Sequence, residues 1–201
     1  MLPVYELKIG DSLEDEFQVY AVAGVDKPAT GVDFFAFSEQ VSVMNFAEIN
    51  EDERIVIGAA MIPNMLIYRC EKDDKGNIVK EYNVFYTKET IANIAVKFFE
   101  KGFQKNFNLM HDPNQQKDGV VFFQSFIKDT AKGIEGMKGN YSEGTWFLGG
   151  KFNNDEVWAK VKSGEIKGWS VEGYFKMHVQ EMSDEQAVEE LKKMMNGKCE
   201  G

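Results

Sequence analysis

Residues Gly164 to Phe175 read Gly-Glu-Ile-Lys-Gly-Trp-Ser-Val-Glu-Gly-Tyr-Phe, which predicts the end of a short helix followed by a strand. Two-residue alternation along the strand places Ser170, Glu172 and Tyr174 on one face. Gly173 leaves a gap beside this face where another backbone or a substrate can approach closely. A serine presented in this way is a candidate nucleophile.

A serine hydroxyl needs a base to remove its proton as it attacks. The chain has two histidines, His111 and His178. His111 ends an apolar segment and precedes the turn Asp112-Pro113-Asn114, so we expect its imidazole at the rim of a sheet. His178 follows Ser170 by eight residues, about 26 Å along an extended strand, so direct contact would need a sharp bend. His111 is therefore the preferred general base.

The imidazole of a catalytic base is normally oriented by a third group, which is recognised by geometry rather than by order in the sequence. Glu172 shares the predicted strand face with Ser170 and lies about 6.6 Å along it, so we rank it first. Asp129 and Asp112 are the alternatives. The sequence thus predicts Ser170, His111 and Glu172 as the catalytic residues, with the third member left open.

The sequence offers two other candidate nucleophile systems. A Ser–Lys dyad with Lys167 is disfavoured because a strand residue three positions before Ser170 points to the opposite face. Cys70, beside Arg69, is a thiol whose pKa a neighbouring cation would lower, but it lacks an assignable base. The Ser–His system remains the preferred prediction.

The composition excludes several classes of protein. No apolar run approaches the ~18 residues of a membrane span, and the amino terminus lacks the features of a secretory signal, so we expect a cytosolic protein without membrane contact. The net charge is −10 and no basic cluster is present, which argues against nucleic-acid binding. The two cysteines and two histidines lack metal-ligand spacing, so we expect no metal and no cofactor.

Strand patterns outnumber helix patterns along the chain. The clearest helix is capped by Thr87 and carries an apolar stripe from Ile91 to Phe99. A second, short helix is capped by Asn154, and a charged helix is predicted from Ser183 to Asn196. We expect an α+β fold, mainly antiparallel β, packed as a closed or nearly closed sheet. The predicted strands cover Val4–Ile9, Phe17–Val25, Phe34–Phe37, Val41–Phe46, two segments of Ile55–Arg69 bent at Pro63, Tyr82–Tyr86, Gly119–Ile127 and Gly144–Phe152.

The run Gly168-Trp169-Ser170-Val171-Glu172-Gly173 resembles the serine motif of phage prohead (capsid maturation) proteases of the XkdF-like type. The resemblance extends over nearly the whole chain, and the order and spacing of its parts carry it. One position departs from it: relatives often have Glu-Ser-aromatic where this chain has Gln124-Ser125-Phe126. The other matching segments are Pro3–Leu7, Val25–Ala29, Gly58–Arg69, Phe85–Ile91, Met110-His111 and Gly144–Trp146.

This resemblance implies a fold like the herpesvirus assemblin proteases, a β-barrel surrounded by helices. It also implies a serine endopeptidase that cleaves scaffold and major capsid proteins inside the assembling procapsid, in the host cytoplasm. Carried over by position, Ser170 is the nucleophile and His111 the general base. Self-cleavage and a homodimer remain open.

The alternative function is a catalytically inactive structural protein of the virion with the same fold. We divide the chain into a prohead-protease-like domain, residues 1–180, and a charged carboxy-terminal helix and tail, residues 181–201.

Overall fold

The computed structural model describes residues 2–10, 12, 16–27, 35–36 and 53–179. The strand predicted at Val41–Phe46 and the helix predicted at Ser183–Asn196 lie outside these residues. The division of the chain at residue 180 therefore stays a prediction.

Strands dominate the described part of the chain, with two α-helices between them. The first half of the strands comprises β1 (Val4–Lys8), β2 (Val19–Val25), β3 (Phe35–Ala36), β4 (Ile55–Met61), β5 (Ile67–Lys72) and β6 (Ile78–Phe85). The second half comprises β7 (Phe107–Leu109), β8 (Asp112–Gln116), β9 (Val120–Ile127), β10 (Trp146–Phe152), β11 (Gly168–Gly173) and β12 (Lys176–Val179). The helices are α1 (Lys88–Glu100) and α2 (Asp155–Lys162).

The strands form three four-stranded sheets, with strand orders β12-β1-β6-β5, β3-β4-β10-β9 and β11-β2-β7-β8. Most pairings are antiparallel, but β1 pairs with β6 and β2 pairs with β7 in parallel. Within the described residues each sheet is open and ends in edge strands. The mainly β character is confirmed, whereas the assemblin-like β-barrel surrounded by helices is wrong. Alternation in a sequence identifies strands but not their partners, and closure depends on the partners.

Helix α1 forms as its sequence predicts. The Oγ1 atom of Thr87 accepts a hydrogen bond from the N–H of Thr90 at the first turn. Ile91, Ile94 and Phe98 share one face and are almost fully buried. This apolar face packs the helix onto the core.

The core is an aromatic cluster between α1 and two of the sheets. The ring of Phe98 lies 5.8 Å from Trp146 on β10 and 6.4 Å from Phe122 on β9, between centroids. Phe122 in turn meets Trp169 on β11 edge-on at 5.1 Å. Burial of each such side chain contributes about 1.5–3 kcal/mol, so the cluster fixes β11 against the second sheet.

Among the residues that the structure describes, no helix is long and apolar enough to span a membrane.

The end of β11 lies very close to the start of β2. The register between them shifts at Gly173, which pairs with Val19. A Cβ atom built on Gly173 would lie 2.5 Å from the carbonyl oxygen of Gln18 and 2.9 Å from the Cα atom of Val19. The predicted close approach of another backbone at Gly173 is therefore confirmed.

The substitution Gly173→Ala should lower the free energy of unfolding by about 1–3 kcal/mol, because the new methyl group overlaps a backbone that has little room to move. Denaturant unfolding of both proteins measures the difference. Gly150→Ala is a matched control, since a Cβ atom there meets its nearest neighbours at 3.4 Å. Equal stability of the two variants would contradict this explanation.

Candidate active site

Strand β11 places Ser170 and Glu172 on the face of its sheet opposite Trp169. Trp169 is fully buried in the core, while Ser170 is 7% exposed. Ser170 pairs with Ala23 of β2, and Ala23 pairs with Asn108 of β7. Paired residues project to the same face of a sheet, so Ser170, Ala23 and Asn108 form a row across three strands.

Two small residues of β2, Ala21 and Ala23, lie between β11 and β7 on this face, and we call them the alanine floor. Ala21 pairs with Glu172 and Ala23 pairs with Ser170. Because alanine side chains are short, the side chain of Glu172 can extend over β2 towards β7. Its Oε1 atom accepts a hydrogen bond of 2.7 Å from the Nδ2 atom of Asn108. The alanines thus allow side chains on β11 and β7 to meet.

His111 lies in the hairpin between β7 and β8. Leu109 pairs with Asp112, which leaves Met110 and His111 as a two-residue loop. Both loop residues have positive φ angles, 54° and 60°. This is the signature of a type I′ turn, which favours Asn-Gly because other side chains are strained there. Strained backbone of this kind is concentrated at functional sites.

The turn directs the imidazole of His111 onto the carboxylate of Glu172. The Nδ1 atom of His111 lies 2.8 Å from Oε1 of Glu172, the same oxygen that Asn108 contacts. The Glu172 side chain is 15% exposed and the His111 side chain 42% exposed. Because a carboxylate oxygen can only accept, Nδ1 is the donor in this contact, and in the neutral imidazole this leaves the lone pair on Nε2.

The structure thus brings His111 and Glu172 into contact, on the sheet face that carries Ser170. Two strand spacings, about 10 Å, separate the backbones of Ser170 and Asn108. Within the described residues no hydrogen bond joins Ser170 to His111. The catalytic roles of the three residues stay predictions.

Asp112 and Asp129, the alternative partners for the imidazole, have carboxylates that bond to other groups. The carboxylate of Asp112 accepts hydrogen bonds from the backbone N–H of Asn114 and the side chain of Gln115, which lower its pKa. Asp129 caps a short 3₁₀-helix and binds Lys132, and that hydrogen bond lowers the pKa of its carboxyl group. Glu172 is the predicted third member that the structure places against the imidazole.

The other candidate bases and nucleophiles lie apart from the row of residues that contains Ser170. His178 is on β12 and pairs with Glu6 in another sheet. Cys70 is on β5 and pairs with Glu81 in that same sheet. Lys167 precedes β11, and its backbone N–H donates to Val25. None of these pairings places its residue on the face with Glu172.

A narrow apolar cleft of about 20 Å³ lies beside Ser170, at the edge of β11 that does not pair with β2. Both Ser170 and Val171 line it, and neighbouring strand residues point to opposite faces, so the cleft lies along the edge of β11 away from β2. Arg69 and Tyr86 also line it. Burial raises the pKa of Tyr86 despite the nearby Arg69 guanidinium, so its hydroxyl stays protonated. The remaining lining residues are Ala60, Met61, Ile62, Met65 and Ile67.

Hydrogen bonds between β2 and β7 show which backbone groups of β11 face this cleft. The N–H of Val22 donates to Asn106, and Gly24 accepts from Met110. Ala23, between them, therefore turns its N–H and C=O towards Ser170. By the same alternation, the N–H of Val171 points away from β2 and towards the cleft.

Sequence reasoning missed Asn108 and the alanine floor. The signal for Asn108 was a polar residue between Phe107 and Leu109, two apolar residues of a short strand. Asn108 is buried, which is unusual for its residue type unless its polar atoms are bonded. The alanines have no sequence signal, because their role depends on which strands flank β2.

The described ranges contain no group of three or more His, Cys, Asp or Glu side chains placed to hold a metal ion.

A comparison with protein-family models matches residues 41–178 to the family described as "Putative phage serine protease XkdF". The matched segment covers more than two thirds of the chain and includes Ser170, His111, Glu172 and Asn108. Neither the curated proteins nor the solved structures give a match to this chain.

The substitution Met110→Asn should raise the free energy of unfolding by about 1 kcal/mol, because asparagine adopts positive φ at a lower cost than methionine. Denaturant unfolding provides the measurement. Met110→Ala is the control, since alanine keeps the Cβ atom that causes the strain. A gain of equal size in both variants would show that the strain of the turn is not the cause.

The substitution Glu172→Gln should lower the pKa of Tyr20. Burial raises that pKa first, and the negative charge of Glu172 raises it further because it opposes a phenolate. Titration of the Tyr20 Cζ resonance by NMR measures the change. Glu156→Gln is the control, because Glu156 is paired with Lys117 instead. An unchanged pKa in Glu172→Gln would contradict the placement of this carboxylate.

Proposed function

The chain belongs to the XkdF phage serine protease family, and on this basis we propose that it is a serine endopeptidase that cleaves scaffold and capsid proteins as the phage procapsid matures. The observation that carries the proposal is the contact between His111 and Glu172 on the sheet face of Ser170. We place the enzyme inside the assembling procapsid in the host cytoplasm. Self-cleavage and homodimer formation belong to the same proposal.

In the proposed reaction, Glu172 holds the proton of His111 on Nδ1, so that Nε2 acts as the base. The Oγ atom of Ser170 attacks the carbonyl carbon of the scissile peptide bond while Nε2 takes its proton. The tetrahedral intermediate collapses as His111 returns that proton to the leaving amine. This step leaves an acyl ester on Ser170.

A water molecule then completes the cycle. His111 takes a proton from the water as it attacks the ester carbonyl. The second tetrahedral intermediate then releases the new carboxyl end as His111 returns that proton to the Oγ atom of Ser170. The N–H of Val171 faces the cleft beside Ser170, so it is the candidate donor to the oxyanion in both intermediates.

Substrate binding has to bring the imidazole of His111 to Ser170. Catalytic hydrogen bonds are often long in a free enzyme and tighten only when substrate is present. Ala21 and Ala23 place no large side chain of β2 between β7 and β11 on this face. Glu172 lies on the same strand as Ser170, but its carboxylate reaches over β2 towards β7. The imidazole held there therefore has to move across β2 to reach Ser170.

The alternative is an inactive structural protein of the virion. The observation that favours it is the lack of a hydrogen bond between Ser170 and His111 in the described part of the chain. In this case the contact of His111 with Glu172 would serve only to stabilise the β7–β8 hairpin.

Co-expression with the scaffold and major capsid proteins separates the two functions. The wild-type chain should produce discrete fragments by mass spectrometry, and Ser170→Ala should abolish them because the nucleophile is lost. His111→Ala should reduce cleavage by at least about a thousandfold, as expected for a general base that acts together with its nucleophile.

Two matched substitutions serve as controls for this experiment. Ser163→Ala changes an exposed serine at the C-cap of α2 that donates to the carbonyl of Lys160, and His178→Ala changes the other histidine. Both should leave the fragments unchanged. Identical fragments from wild type and Ser170→Ala, or none from either, would contradict the protease and favour the structural protein.

A further inference from the structure

A second, larger cleft opens beside Glu172, on the face of the sheet that carries Ser170. Its volume is about 510 Å³, within the usual range of ligand-binding clefts. Glu172, Asn108, Gln116 and Tyr20 are among the residues that line it. The lining is mainly polar, in contrast to the narrow apolar cleft on the other side of Ser170.

Asn108, which lines this larger cleft, has an unpaired acceptor. The residue is 4% exposed, and its Oδ1 atom is buried without a hydrogen-bond partner among the described residues. Its Nδ2 atom is committed to Glu172, so the amide cannot turn over without placing Oδ1 against a carboxylate. An unpaired buried acceptor costs free energy and requires an explanation. A ligand that donates a hydrogen bond to Oδ1 would provide one.

The charges around the cleft are balanced. Lys105 and Lys117 line it along with Asp118 and Glu172. Lys117 also binds both carboxylate oxygens of Glu156 at 3.1 Å. A site with equal numbers of cations and carboxylates does not favour a phosphate or another strongly charged ligand. It suits a neutral, polar group with N–H donors, and the main chain of a polypeptide is such a group.

The position of the cleft along β11 relates it to the reaction. Glu172 is two residues beyond Ser170, about 6.6 Å along the strand. An extended polypeptide has almost the same rise per residue. A substrate with its scissile bond at Ser170 would therefore enter this cleft about two residues from the bond.

We propose that this cleft binds the substrate polypeptide on one side of the scissile bond, with Oδ1 of Asn108 accepting a hydrogen bond from the substrate main chain. The inference rests on the proposed protease function and names a binding groove for it. Polar or small side chains should be preferred at the substrate position in the cleft, because its lining is mainly polar.

The substitution Gln116→Trp tests the groove, since it fills the cleft from β8 without changing Ser170, His111 or Glu172. Two rates are compared in the full-length chain. One is cleavage of the co-expressed scaffold and major capsid proteins, and the other is phosphonylation of Ser170 by a small fluorophosphonate, which does not extend into the cleft. Gln115→Trp is the control, because Gln115 is the neighbouring β8 residue and does not line the cleft.

If the cleft binds substrate, Gln116→Trp should lower the rate of polypeptide cleavage about tenfold or more relative to the rate of phosphonylation. A tenfold loss is equivalent to about 1.4 kcal/mol of binding free energy. Gln115→Trp should change neither rate by more than about twofold. Equal effects of Gln116→Trp on both rates, or no effect on cleavage, would overturn the groove and leave the protease intact. A wild-type chain that neither cleaves nor is phosphonylated would refute the protease, and the groove with it.

Discussion

The burial of Trp169 is the constraint on which the candidate site depends. Its indole stacks on Phe152 at 5.9 Å between centroids and meets Phe122 edge-on. Its Nε1 atom donates to the carbonyl of Leu148. A slip of β11 by one residue would turn this indole out of the core and turn the polar side chains of Ser170 and Glu172 into it. The aromatic core thus sets the register that places Ser170 on the opposite face of the sheet.

The site is assembled across β2 rather than along a single strand. Ala21 and Ala23 leave the space in which Glu172 of β11 meets Asn108 and His111. One oxygen of Glu172 accepts from both of these residues, which links β11, β7 and the β7–β8 turn. A partly buried network of this kind is stable only when its members are paired. The unpaired Oδ1 of Asn108 is the exception, and Asn108 lines the cleft that we assign to substrate.

In the β7–β8 turn, two residues adopt backbone conformations that their residue types disfavour. Met110 and His111 occupy left-handed conformations for which Asn and Gly are the favoured residues. Natural sequences break local rules of this kind mainly at functional sites. A tight two-residue turn fixes the direction of the imidazole, because it leaves the backbone little freedom. The contact with Glu172 is consistent with a turn selected for the position of His111.

Local sequence patterns suffice to predict three features: the β11 strand with Ser170 and Glu172 on one face, helix α1 with its Thr87 cap, and the close approach at Gly173. These depend on periodicity and on backbone conformation, which nearby residues encode. Contacts between distant strands decide that the sheets are open within the described residues, that Asn108 and the alanine floor belong to the site, and that Glu172 rather than Asp112 or Asp129 meets His111. Each of these depends on which strands become neighbours, and that choice is made by long-range packing of side chains from distant parts of the chain.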